Sequence, residues 1–471
     1  MELKESIPNN IGLSGKPRLK AMLEPFRFRF LDWWAERGPA GFDAAEAYLR
    51  TPLGIDAQGW ARYGYVRLSE YRWGLYQAAP EAERRALFGR VAGTPVFHAP
   101  PDELRGALRK LLVTQGDTEP GSIEQSRRLG ATAPSLYDLR NLFQINCEEG
   151  RHLWAMVHLL FEHFGDEGED EAEGLLARCS GSAENPRLLQ AFNSPIEEWL
   201  SFFFWSTLAD RDGKYQLHSM SESAFDPLAR TCRFMLTEEA HHMFVGDDGL
   251  RRVLQRTAEL MREHDTDDVA PYGGINLATF QRFLNYWAPQ TIDLFGNEVS
   301  SWAEEMFDAG IKARPFEADP ARYGEHTALA DAYAIERREG DRLVPATLPM
   351  RKLINEVTRD AYLAEIDAVI ARWNRMLTKR GVNQPIRRPD KRFNRRIGVY
   401  AGLPFSPEGK PLSQEAFARG LREWLPSEAD WTHVRSLMVP CLAPGKIAGW
   451  IAPPQRGIDG KPALAFDYVR L

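Results

Sequence analysis

The strongest constraint on this chain is a repeated interruption of an apolar pattern. In "NCEEGRH", residues 146–152, and again in "TEEAHH", residues 237–242, a glutamate stands three positions before a histidine inside a stretch with helical spacing. Positions i and i+3 project from one face of an α-helix, so each pair can aim two ligand groups at one point. Leu142, Ile145, Glu149, His152, Met156 and Leu159 follow the alternating three- and four-residue spacing of a stripe that a bundle helix turns inward. Leu228, Cys232, Met235, Glu239 and His242 repeat it. Burying an ionised carboxylate on such a line is costly unless it is paired or binds a metal. Two such lines therefore predict a shared polar centre.

One bundle arrangement meets that cost: two helices give a carboxylate each, two give Glu-x-x-His, and together they enclose a pair of iron or manganese ions. Two further acids are then needed. Upstream of Glu149, "VTQGDTEPGSIEQSRRLG" offers Asp117, Glu119 and Glu124, and upstream of Glu239, "FFFWSTLADRDGKYQ" offers Asp210 and Asp212. Phe203, Thr207 and Asp210 share a helix face, which favours Asp210. Glu119 stands 30 residues before Glu149, and Asp210 stands 29 before Glu239, so these choices make the halves pseudo-symmetric. The string Glu238-Glu239-Ala240-His241-His242 holds two overlapping pairs, and spacing leaves both open. Glu119 precedes Pro120, which disfavours the α region and predicts a kinked or broken helix there.

The remaining composition narrows the class. With 471 residues, 44% of them hydrophobic, the chain can bury a large core. A net charge of -7 gives no footprint for nucleic acid. The four cysteines form no CxxC pair, so neither a disulfide framework nor a thiolate zinc site is indicated, and a cytoplasmic location is expected. "MELKESIPNNIGLSGKPRLK" lacks the apolar segment of an export signal. The longest apolar run, Trp199 to Ala209, has eleven residues, against about 20 for a membrane span.

The expected architecture is mainly α. Residues 1–100 read as a helical and irregular lead-in, 101–380 as the helical bundle, and 381–471 as a Pro/Gly-rich region of loops and short strands packed on it. Between Arg372 and Arg396 ten basic residues face a single acid, Asp390, a pattern that suits phosphate groups, a solvated face or a docking surface.

Three segments carry a more specific resemblance: "RKLLVTQGDTEPGSIEQSRRLGATAPSLYDLRNLFQINCEEGRHLWAMVHLLFEHFG", "SPIEEWLSFFFWSTLADRDGKYQL" and "SAFDPLARTCRFMLTEEAHHMFVG". With "IPNN", "EYRWGLY" and "APGKIAGWIAPP", they resemble the family of oxygenase components of benzoyl-CoA 2,3-epoxidase, across nearly the whole chain. The resemblance implies a ferritin-like four-helix bundle with two iron ions held by Glu119, Glu149, His152, Asp210, Glu239 and His242. It implies O2 as co-substrate and benzoyl-CoA as substrate in aerobic aromatic degradation. It also implies a separate NADPH-dependent reductase carrying FAD and iron-sulfur clusters, and a monomeric oxygenase. The chain itself has no dinucleotide fingerprint and no clustered cysteines to carry electrons. Gln115, beside Glu119, is the candidate donor to the thioester carbonyl, and Arg395 and Arg396 are the candidate phosphate contacts. Two other readings share the pattern: a related oxygenase of another acyl-CoA or an arylamine, and a metal-binding helical protein without catalysis.

Overall fold

The long helices of the chain begin and end where its capping residues place them. In a computed structural model, residues 11–56, 60–71, 74–323, 329–340, 342–464 and 468–471 are described; "IPNN" and part of "EYRWGLY" lie outside them. The N-terminal part contributes α1 (Pro17–Arg37) and an antiparallel hairpin, β1 (Tyr48–Ile55) with β2 (Ala61–Arg67). Then follow α2 (Asp102–Gly116), α3 (Thr118–Ser126), α4 (Leu136–Phe164), α5 (Asp166–Ala177), α6 (Trp199–Ser221), α7 (Asp226–His264), α8 (Leu277–Ile292), α9 (Ser301–Asp308) and the single turn α10 (Pro320–Tyr323). A second antiparallel hairpin, β3 (Ala332–Glu339) with β4 (Arg342–Pro349), precedes α11 (Ile354–Lys379), α12 (Gln414–Trp424) and α13 (Glu428–Ser436).

Ser135 caps α4 by accepting a hydrogen bond from the Asp138 amide, and Gly165, at a φ of 59°, releases the chain at the other end. Glu198 caps α6 by accepting from the Ser201 amide at 2.7 Å. Pro227 opens α7, where its missing N–H costs nothing. Only residues 222–225 separate α6 from α7, so the two form an antiparallel pair. Gly246 and Gly249 let them approach: a Cβ at Gly249 would stand 2.2 Å from the Phe203 ring, and one at Gly246 would stand 2.4 Å from the Thr207 nitrogen.

The break expected near Pro120 falls at Asp117, between α2 and α3, and leaves Pro120 in the first turn of α3, where proline is tolerated. Asp117 is held at this joint by Arg178 at 2.6 Å and Arg187 at 3.1 Å. Helices α3, α4, α6 and α7 then surround one interior line, and the apolar core continues outward through Trp34, Trp154, Trp199, Trp205 and Trp287, all fully buried. Residues 381–471 are mostly loop among those described, with α12, α13 and one isolated bridge between Phe405 and Pro411. Both strand pairs lie upstream of that region. No helix among the described residues is long and apolar enough to cross a membrane.

Candidate metal centre

Four helices bring six ionisable side chains to the interior line. Helix α4 contributes Glu149 and His152, α7 contributes Glu239 and His242, α3 contributes Glu119 and α6 contributes Asp210. None is more than 7% exposed. The two imidazole rings lie with their centroids 5.9 Å apart, and two carboxylates straddle them. Glu149 places Oε2 3.5 Å from His152 Nδ1 and Oε1 3.5 Å from His242 Nδ1. Glu239 places Oε1 3.6 Å from His152 Nδ1 and Oε2 3.6 Å from His242 Nδ1. Glu119 adds an oxygen 3.5 Å from His152 Nδ1. The acid of α6, Asp210, is buried and lines the same cavity as Glu119, Glu149 and Glu239.

The donor atoms themselves test whether this cluster suits metal ions. Glu149 Oε2, His152 Nδ1, Asp210 Oδ2, Glu239 Oε2 and His242 Nδ1 are all buried with no hydrogen-bond partner. Buried polar atoms are normally satisfied, and five such orphans are donors that cations could satisfy. Donor atoms of Glu119, Glu149, His152 and Glu239 all lie within 4.8 Å of one another. Carboxylate and imidazole donors without thiolates suit iron or manganese better than a soft metal.

The other face of each imidazole is fixed by a carboxylate from the opposite helix. His242 Nε2 lies 3.0 Å from Glu148 Oε2, and His152 Nε2 lies 3.1 Å from Glu238 Oε2. Because an ionised carboxylate only accepts, each Nε2–H donates, and Nδ1 is left for a metal. The acids are in turn paired with arginines: Arg50 of β1 donates to Glu148 at 2.8 Å, and Arg151 of α4 donates to Glu238. This crossed arrangement distinguishes the overlapping pairs. Glu239 and His242 face the centre, Glu238 supports it, and His241 stacks on Phe244 with 6.4 Å between ring centroids. Sequence reasoning passed over Glu148, Arg50 and Arg151 and weighed Glu238 only as a ligand of the overlapping pair, although an acid directly before each inward glutamate was a visible signal.

The electrostatics follow this geometry. Burial and the neighbouring Glu119, Glu239 and Asp210 carboxylates raise Glu149 well above the ordinary range. Burial likewise raises Asp210, with Glu239 adding to it. Burial would also raise Glu119, but the neighbouring His152 imidazole overrides this and holds it low. Burial opposes charge on His242, yet Glu148 and Glu239 push it up to about 10. Crowded carboxylates and a retained imidazole proton make ligation proton-coupled: binding a cation must expel protons from this site.

A cavity of about 450 Å³ reaches the cluster, with Glu119, Glu149, Asp210 and Glu239 in its wall. Leu111, Leu189 and Phe192 give it an apolar side. Gln115 lines it and donates from Nε2 to Glu119 Oε1 at 2.9 Å. Asp212 does not join the six; it accepts from Gln216 at 3.0 Å, and Lys312 donates to the same Gln216 at 2.6 Å, all three on the cavity wall. Glu124 is drawn away by Arg187 at 2.8 Å. Arg395 does not line the cavity: it is buried and ion-paired with Asp293. Arg396 is exposed, with its backbone amide donating to Asp293 at 2.9 Å, and does not line the cavity either.

No protein-family model matches the chain. It is 48% identical over 469 residues to benzoyl-CoA oxygenase component B of Aromatoleum evansii, a match that covers 99% of this chain and 98% of that protein.

Proposed function

The chain belongs to the benzoyl-CoA oxygenase component B family, and from that premise we propose that it is a ferritin-like di-iron oxygenase that epoxidises the ring of benzoyl-CoA at the 2,3 position. The observation that carries this reading is the set of five unpartnered, buried donor atoms contributed by α4, α6 and α7. In this reading Glu119, Glu149, His152, Asp210, Glu239 and His242 would hold the two iron ions. When bound, iron supplies the redox chemistry that reduces dioxygen, with one oxygen atom delivered to the ring and the other released as water. The balance requires two electrons and two protons per turnover.

The protein's own side chains do the positioning. Glu148 and Glu238 hold both imidazoles with Nδ1 forward. The apolar side formed by Leu111, Leu189 and Phe192 receives the aromatic ring and keeps water from it. Gln115 spends one Nε2 hydrogen on Glu119 and has a second for the thioester carbonyl. Asp210 is one methylene shorter than the glutamate usual in such bundles, which leaves more room at the ion it holds.

The name component B belongs to a multi-component system, and the electrons are supplied in this reading by a separate NADPH-dependent reductase with FAD and iron-sulfur clusters. The test is turnover of benzoyl-CoA by the iron-loaded chain under 18O2 with that reductase. The reading expects one labelled oxygen atom in the thioester product and none when the reductase is omitted. Turnover with NADPH alone, or a product labelled only from water, contradicts it.

A further inference from the structure

Part of the cavity wall, Leu294–Asn297, is the end of a single 3₁₀ turn and the loop after it, rather than an α-helix. It contains Gly296 at a φ of 77°, a backbone state open to few other residues. Turns on a surface are ordinarily the softest part of a wall. This one is gripped from behind. Arg359 of α11 donates to the Gly296 carbonyl, to the Ile292 carbonyl at 3.4 Å and to Glu298 at 3.1 Å. Arg395 donates to Asp293 and approaches Glu298 to 3.4 Å.

The acids that bracket the turn are held by the backbone as well. The Arg396 amide donates to Asp293 at 2.9 Å, and the Val399 amide donates to Glu298 at 2.7 Å. Gly398 sits so close that a Cβ there would stand 2.0 Å from Glu298 Oε2. Glu298 and Arg359 are fully buried, and Arg395 is 2% exposed. Charges desolvated to this degree hold only in one hydrogen-bonded geometry, and guanidinium forks impose direction as well as attraction. On the inner side, Phe295 packs on Tyr362 with 5.0 Å between ring centroids while also lining the cavity.

We propose that Arg359 and Arg395 are positioning residues that lock the Leu294–Asn297 turn as a rigid wall of the substrate cavity and thereby limit the size of the acyl group it admits. The proposal rests on the reading that this cavity receives an aroyl thioester. It gives Arg395 a different task from phosphate binding: its charge is spent inside the fold.

The test uses Arg395→Lys, and Asp293→Asn as an isosteric second variant should the first not fold. Calorimetry on the iron-loaded proteins measures the Kd of benzoyl-CoA and of the bulkier 2-naphthoyl-CoA, alongside iron content and Tm. A loosened wall weakens benzoyl-CoA binding by about 10-fold while 2-naphthoyl-CoA is unchanged or binds more tightly, with iron content held. Equal effects on both ligands, or a fall in Tm with the ratio of the two Kd values unchanged, overturn the proposal and leave a merely structural ion cluster. Wild-type protein that binds neither thioester overturns the cavity assignment itself, and with it this inference.

Discussion

His242 Nε2 lies 3.0 Å from an oxygen of Glu148, the residue immediately before Glu149 on the facing helix. The mirror relation joins His152 to Glu238, the residue before Glu239, at 3.1 Å. Each long helix thus supplies an inward acid for the centre and, one position earlier, an acid that orients the other helix's imidazole.

Replacing Glu148 by Gln keeps the size but removes the charge behind His242 and leaves Arg50 without its main partner. Metal affinity should fall by roughly 10–100-fold, the usual cost of losing such a supporting carboxylate. Chelator competition for iron measures this, and Glu238→Gln should show a comparable loss. Unchanged retention in both variants would mean the imidazoles are not metal ligands.

Asp210→Glu restores the longer carboxylate on α6. Two irons per chain are expected to remain, with epoxidation reduced by at least about 10-fold, because the extra methylene occupies space that a reacting oxygen needs. Iron quantification beside a single-turnover assay checks it. Full activity would show that the shorter acid carries no functional weight.

The close approach of α6 and α7 makes its own prediction. Gly246→Ala places a methyl against the Thr207 backbone nitrogen at 2.4 Å, where no flexible side chain can yield. Overpacking of this kind costs about 1–3 kcal/mol, and chemical denaturation should read a loss in that range. A neutral outcome would show that the helices can separate without penalty.

His158 of α4 is 4% exposed, and its Nδ1 has no partner. Burial pushes it from its ordinary range down to about 3, with Lys16 and His163 adding to the shift. Between an unfolded value of about 6.5 and that folded value, the unfolded chain binds the extra proton, so stability is intact above 6.5 and is lost as pH falls. His158→Phe should remove a slope of about 1.4 kcal/mol per pH unit below 6.5. Denaturation midpoints of both proteins from pH 7.5 to 5 provide the check; parallel curves would contradict it.

How much of this was readable before folding differs residue by residue. Glu149 and His152, and a second Glu-x-x-His pair within Glu238–His242, were legible because helical period and the cost of burying charge act locally. Asp117 could not be separated from Glu119 by spacing, since the arginines that claim it, Arg178 and Arg187, lie 61 and 70 residues away. The same holds for Arg395, whose buried partner Asp293 is 102 residues distant. The overlapping pairs in Glu238–His242 differ by one residue, a rotation of about 100° that spacing alone permits; the contact of Glu238 with His152 across the bundle decides it. Short strands were expected among residues 381–471, yet the hairpins form at 48–67 and 332–349. Glycine- and proline-rich text marks turns more reliably than the strands beside them.

The central claim is that six inward side chains on four helices hold a pair of iron ions. Anomalous diffraction at the iron edge, on crystals of iron-replete protein, addresses it directly. Two peaks are predicted among Glu119, Glu149, His152, Asp210, Glu239 and His242. A single peak, or none among these side chains, would contradict the account.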